Sequence, residues 1–275
     1  MFARIFFAPL PTKIKVVMNF LLSLYTFWKG AIERTFIIDN RYRIFLDGIK
    51  NTLVITVGAL LVGVIIGVAV AISKVYYHQV GPYTIMGSLK LFFKHRRIEF
   101  LGHLLLRLWD GVLNVYLTLF RGTPVVVQLM IWSFVIFATA DGIIVAIIGF
   151  GVNSGAYVAE IVRAGIMAVD KGQTEAGRSL GLSAAATMRL IVLPQAFKNV
   201  LPALSNELIA LLKETSIVGY IAVVDITKAA ALVRARTFDA FIPLMFVSAF
   251  YLLMVTILTF FQRMLEKKLQ ASDRK

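Results

Sequence analysis

Residues 175–199, "EAGRSLGLSAAATMRLIVLPQAFKN", are polar, dotted with charge and punctuated by glycine, with an apolar run on either side. The stretch has room for two short helices. Thr174 is a plausible cap for the first, with Glu175 in its opening turn, where a carboxylate suits the positive end of the helix dipole. Gly181 breaks that helix, and Ser183 can cap a second over "AAATMRLIV". The second is expected to stop ahead of Pro194, because the residue before a proline is disfavoured in the helical region. A compact helix-turn-helix and an ordinary ordered loop both fit these residues, so the flanking sequence has to choose.

Those flanks belong to a chain of 275 residues that is 59% hydrophobic and 16% charged, with a mean hydropathy of +0.82. Soluble domains average roughly 45–50% apolar and about 25% charged. The apolar residues come in continuous runs near 20 residues long, each long enough to span a bilayer as a helix, rather than in the alternation of a barrel strand. The chain therefore reads as an all-α polytopic membrane protein. Its first secure span is 52–72, "TLVITVGALLVGVIIGVAVAI", in which Gly63, Gly67 and Ala71 recur every four residues. That spacing either makes a stripe for close helix approach or reflects the abundance of glycine in membrane helices. Further runs at 125–137, 143–162, 203–224 and 240–262 bring the core to five spans. A shorter run at 16–28 is either an extra N-terminal span or a helix lying in the interface.

Between the first two spans, residues 73–103 are polar and basic. In the next helix His103, Arg107, Asp110, Asn114, Thr118 and Arg121 fall on one face, which predicts an interfacial amphipathic helix. Gly122 and Pro124 break it, and Arg121 is read as anchoring the break at the cytoplasmic surface. Three segments follow: an N-terminal extension over 1–47, a transmembrane body over 48–265 carrying an insertion at 76–103 and a polar loop at 170–194, and a basic tail at 266–275.

Seventeen Lys and Arg lie in 74–121, 163–198 and the tail after 262, against seven on the opposite side. Basic loops mark the cytoplasmic face, so the opening stretch and the C-terminus are expected there. In a membrane chain a net charge of +14 reports topology rather than nucleic-acid binding. The absence of cysteine excludes disulfides and thiolate metal sites, and the three histidines, His78, His95 and His103, lie in one polar loop from which no metal site is read.

Polar groups inside spans point to a path or an interface. Asn153, Tyr157 and Glu160 share one face of the 143–162 helix and are the candidates for lining a substrate path. Glu160 stands three residues before Arg163, so an interfacial ion pair is its other reading. Asn206, Lys213 and Glu214 make the 203–224 helix face protein or water, either to bind substrate or to join subunits. The candidate path is mildly acidic on this reading, which favours a cationic or zwitterionic substrate.

The 20-residue spacing E-A-A-x3-G-x9-I-x-L-P resembles the signature of permease subunits of ATP-binding-cassette importers. It runs here through Glu175, Ala176, Gly177, Gly181, Ile191, Leu193 and Pro194, with Gly177 replacing the second alanine at a helix-propensity cost of up to about 1 kcal/mol. "YLTLFRGTPVVVQL" (116–129), "GAYVAEIVRAGI" (155–166) and "LPQAFKNVLPALSNELIALLKETS" (193–216) are similar to the polar amino acid branch of that family, the His/Gln/Glu/Arg uptake type. The resemblance covers roughly 50–75 and 104–265.

It implies a five-span type I importer permease core (MetI-like) in a bacterial inner membrane. It also implies a dimer of permeases, the same or homologous, an extracytoplasmic amino acid-binding protein, and a separate ATPase dimer whose groove takes the loop as a coupling helix. On that analogy Glu175 and Arg178 make charged contacts with the ATPase and Gly181 allows the turn. The chain has no G-x4-G-K-[ST] phosphate loop, so it is expected to be a non-catalytic subunit with no cofactor of its own. A stand-alone carrier or channel driven by an ion gradient is the alternative. Such carriers often show paired internal repeats, and none is evident in these two halves.

Overall fold

The computed structural model describes residues 12–80 and 97–273, and among them every regular element is helical. His95, and the side chain of His78, lie outside the described residues, as does most of the basic insertion. Helix α1 covers Thr12–Ile32 and leads through a π turn (Glu33–Ile37) and a short 3-10 turn (Ile38–Asn40) into α2, Tyr42–Val80. The remaining helices are α3 (Arg97–Gly122), α4 (Val125–Ile131, extended by a π turn to Ile136), α5 (Gly142–Met167) and α6 (Lys171–Ser179). After them come α7 (Ala184–Thr187), α8 (Leu193–Glu214), α9 (Ile226–Thr237) and α10 (Phe241–Asp273).

Among the described residues three helices are long and apolar enough to cross a membrane: Tyr42–Tyr77, Gly142–Met167 and Phe241–Leu269. Two bent pairs bring the count to five. They are Leu101–Gly122 with Val125–Ile136, bent by 110°, and Ala184–Ile221 with Ile226–Thr237, bent by 49°. Helix α1, left open by the sequence as span or interfacial helix, is not among those long and apolar enough to cross.

The bundle is organised around α2 and α5. Gly63 and Gly67 of α2 meet Ser154 and Val158 of α5, and Gly151 of α5 meets Val62 in return. A Cβ on Gly67 would stand 2.6 Å from the Val158 side chain, so only glycine permits this approach. The four-residue stripe is thus spent inside the chain. In lipid, where apolar burial adds little, backbone proximity and van der Waals packing supply the attraction. Ala71 continues the seam into a cluster with Val158, Val162 and Val200. At the other end of α2, Phe45 packs with Ile226, Ala229, Ala230, Val233 and Val247, and its ring meets Phe36 and Phe246 at about 5 Å.

Two expectations about the chain path are corrected. The first span begins at Tyr42, ten residues early, and runs to Val80, so part of both the N-terminal extension and the insertion is helix. No glycine or proline pair interrupts "YRIFLDGIKN", and the helix simply continues through it. The amphipathic helix, in turn, does not lie alone on a surface. Helix α3 runs antiparallel along α2: Leu106 shares a pocket with Tyr77, Leu113 packs on Val70, and Tyr116 packs near Ile66. Its polar stripe is turned toward α2 and α5, while Leu105, Leu108, Val112, Val115 and Leu119 face outward. The Asp110 carboxylate of the stripe is tolerated because Lys74 of α2 supplies its partner.

Candidate translocation cavity and coupling hairpin

Pro124 has no N–H, so the carbonyl of Phe120, four residues earlier, loses the partner a continuing helix would give it. Asn153 Nδ2 donates to this oxygen at 2.8 Å, and Gln128 Nε2 donates to it at 3.0 Å. The two amides are themselves joined, Asn153 Nδ2 to Gln128 Oε1 at 2.9 Å, and Gln128 also caps Thr123. Asn153 is 4% exposed. It therefore sits inside the joint between α3, α4 and α5, with its amide engaged by the broken helix. Gln128, a lone amide in "VVVQLMIWSF", went unread in the sequence although its isolation among apolar residues is the signal.

Beneath the joint, α2, α3 and α5 border an open cavity of about 720 Å³ lined by Lys74, Asn114, Thr118, Arg121, Tyr157, Glu160 and Arg163, among others. Lys74 Nζ donates to Asp110 Oδ1 at 3.0 Å and to Asn114 Oδ1 at 2.5 Å, and Asn114 Nδ2 returns to Asp110 Oδ2. Arg163 forks onto Glu160, Nη2 to Oε1 at 2.5 Å and Nε to Oε2 at 3.1 Å. The guanidinium of Arg121 lies over the Tyr157 ring, 5.7 Å from its centroid. Tyr157 and Glu160 thus meet at one cavity with Arg121 and Gly122, whereas Asn153 lies in the joint. The expected mild acidity is overturned, since three cations and one carboxylate line the space. Lys74 is remote in sequence from everything else here, so no local pattern could have assigned it.

Ser154 Oγ of α5 donates to Glu207 Oε1 of α8 at 2.6 Å, and Gln262 of α10 donates to Asn206 Oδ1 of α8 at 3.1 Å. Lys213 is exposed and Glu214 half-buried; among the described residues neither lies within ion-pair distance of an opposite charge.

The opening stretch forms a hairpin of two helices. Its first helix is capped by Asp170, whose side chain accepts from Gly172 N, rather than by Thr174, so Glu175 falls in the middle of α6. Leu182 N donates to Gly177 O at 3.1 Å and Gly181 N to Arg178 O at 3.0 Å, the paired closure that ends a helix on a left-handed residue. Gly181 supplies that residue at φ +83°. Ser183 caps α7 by accepting from Ala186 N at 3.2 Å. Glu175, Ala176 and Arg178 are exposed, and Leu180 at the tip is 82% exposed.

Gly177 is buried against the returning strand of chain: a Cβ there would meet Thr187 Cγ2 at 2.8 Å and Ile191 Cδ1 at 2.9 Å. The second helix does not stop before Pro194. Leu193 N reaches back to Met188 O in a π turn, Leu193 keeps helical dihedrals, and Pro194 enters α8 in its first turn, where a missing N–H is tolerated. Leu193 and Pro194 are exposed on the outside of this continuation.

A helical bundle that crosses a membrane, holds a polar cavity among its helices and presents a folded polar hairpin at one end is a membrane transport subunit. Residues 100–271 match the binding-protein-dependent transport system inner membrane component family, and the chain belongs to it. A Rickettsia bellii protein described as the glutamine transport system permease GlnP is 36% identical over 231 residues, covering 82% of this chain and 93% of that one. The arginine transport system permease ArtQ of Bacillus subtilis is 35% identical over 232 residues, with 83% and 93% covered. Among solved structures, an amino acid ABC transporter with histidines aligns at 33% identity and a TM-score of 0.67, over 84% of this chain and 96% of that one. The MetNI methionine ABC transporter in an inward-facing form aligns at 19% identity and a TM-score of 0.63, a likeness of fold.

Proposed function

We propose that this chain is the translocating subunit of an ATP-driven importer for a polar amino acid. It works as a pair with a second permease and takes substrate from an extracytoplasmic binding protein. The carrying observation is the exposed hairpin 170–194, closed by Gly181 and continuous with α8 through Pro194. A separate ATPase dimer grips the hairpin from the cytoplasmic side of a bacterial inner membrane, with Glu175 and Arg178 as its charged contacts and Ala176 flanking them. Nucleotide-driven closure then moves α8, and the bundle alternates between inward-open and outward-open. The chain holds no cofactor of its own and the ATP sits on the partner.

Asn206, Lys213 and Glu214 line the contact with the second permease, which supplies ionic partners for Lys213 and Glu214. Tyr157 and Glu160 border the path, and Asn153 holds the joint above it. The C-terminal end of α10 lies on the ATPase side, as the distribution of basic residues favours. Family membership does not favour an ion-gradient carrier.

Reconstitution into vesicles with and without the candidate ATPase tests the reading. Amino acid uptake is expected only with ATPase and ATP, and uptake driven by an ion gradient alone would overturn it. Glu175→Lys is expected to lower ATP-driven uptake at least tenfold while substrate binding to the assembly stays within twofold. Unchanged uptake would remove Glu175 from the contact.

A further inference from the structure

The cavity beneath the joint has an uneven charge balance. Lys74 is neutralised by Asp110 and further held by Asn114, and Arg163 is neutralised by Glu160 through a two-pronged contact. Arg121 is different. Its guanidinium stacks on the Tyr157 ring, and among the described residues no carboxylate lies within ion-pair distance of it. The cation–π contact holds the guanidinium beside the ring, and among the described residues no hydrogen bond engages its N–H fork, which suits two-point recognition of a carboxylate. Thr118 stands one helical turn before Arg121 on the same cavity wall, and Glu160 stands one turn after Tyr157. The cavity, at about 720 Å³, is within the range that encloses small ligands.

We infer that Arg121 is the carboxylate anchor of the translocation cavity, binding the α-carboxylate of the transported amino acid with Tyr157 as its backing plate. This replaces the anchor role that the sequence gave Arg121, and it rests on the functional reading above. One uncompensated positive charge calls for one negative charge on the ligand, and every free amino acid carries that group whatever its side chain. The cavity therefore recognises the part common to all amino acids here and leaves choice among them to other surfaces.

The test uses the permease–ATPase assembly in lipid nanodiscs with the binding protein omitted. Equilibrium binding is measured for L-glutamine, L-arginine and their α-carboxamides, which lack the carboxylate but keep the rest. The wild type is expected to bind each acid at least tenfold more tightly than its carboxamide. Arg121→Gln is expected to weaken the acids by tenfold or more and to leave the carboxamides within threefold, abolishing the preference. Arg121→Lys retains part of it, Tyr157→Phe retains it, and Tyr157→Leu reduces it. A wild type with no preference for acid over carboxamide overturns the inference whether or not any variant folds. So does an Arg121→Gln assembly that keeps the full preference. ATP-driven uptake by the same wild type reconstituted into vesicles with its binding protein would leave the transport reading standing while this one fell; an assembly that binds none of the four compounds in nanodiscs and transports none in those vesicles overturns both.

Discussion

Gly177 occupies the position where the family spacing has alanine, and the structure gives the reason. Two opposed terms set the outcome of Gly177→Ala. Alanine in mid-helix is favoured over glycine by up to about 1 kcal/mol. Against that, the new methyl would sit 2.8 Å from Thr187 Cγ2, 2.9 Å from Ile191 Cδ1 and 3.1 Å from Thr187 Oγ1. Overfilling a packed contact costs roughly 1–3 kcal/mol. The single variant should thus loosen the α6–α7 hairpin, by up to about 2 kcal/mol.

Thr187 is 1% exposed and its Oγ1 has no hydrogen-bond partner. Thr187→Ala removes the two Thr187 contacts and a buried hydroxyl that contributes nothing in return, and leaves only the flexible tip of Ile191, at 2.9 Å, to give way. In the double variant only the Ile191 contact opposes the helix term, so the hairpin should recover to wild-type stability or up to about 1 kcal/mol above it. The coupling between the two sites should exceed about 1 kcal/mol. Amide hydrogen exchange over 171–182 in nanodiscs reads this directly, because local opening sets protection there and each 1.4 kcal/mol is about tenfold in rate. Faster exchange in Gly177→Ala, reversed by adding Thr187→Ala, is expected. Strictly additive effects, or slower exchange in Gly177→Ala alone, would refute the packing argument.

Two further perturbations follow from the buried polar groups. Asn153→Leu strips the Phe120 carbonyl of one donor and leaves Gln128 Oε1 unpaired. It should cost about 1–3 kcal/mol in denaturant unfolding, and Gln128→Leu in the same chain should add less than it costs alone. Lys74→Met strands the Asp110 carboxylate, the two side chains being 11% and 16% exposed, and should destabilise by about 3–5 kcal/mol. Adding Asp110→Leu should restore most of that loss, and a double variant as weak as the single would count against the pair.

Periodicity and composition made the spans, the break at Gly122–Pro124 and the two-helix hairpin legible, because each depends on residues close in sequence. The Gly63–Gly67–Ala71 stripe was visible too, although only the structure shows that α5 is what it meets. What stayed hidden was non-local or depended on backbone detail. Lys74 and Asp110 are 36 residues apart and meet only once α3 has folded back along α2. Asp170, outside the opening stretch, took the cap expected of Thr174 because the helix starts earlier. The stop before Pro194 failed because a single π turn rewires the hydrogen-bond ladder ahead of the proline, an event that propensity rules do not see. Asn153 shared a helical face with Tyr157 and Glu160, yet the face is split between a joint and a cavity at the depth where α3 ends.

The uninterrupted passage from α7 through the π turn into α8 makes a crank. Helix α8 has 22 residues and is about 33 Å long at 1.5 Å per residue. Val200 bears on Gly165, where even a methyl would collide, and Asn199 Nδ2 pins the Gly165 carbonyl at 3.3 Å, which gives the shaft a fulcrum near its hairpin end. The short arm lies on the hairpin side, and the long arm, about 21 Å from Val200 to Glu214, runs toward the opposite end of the bundle. A small tilt imposed at the hairpin would therefore sweep a larger arc at the far end of α8.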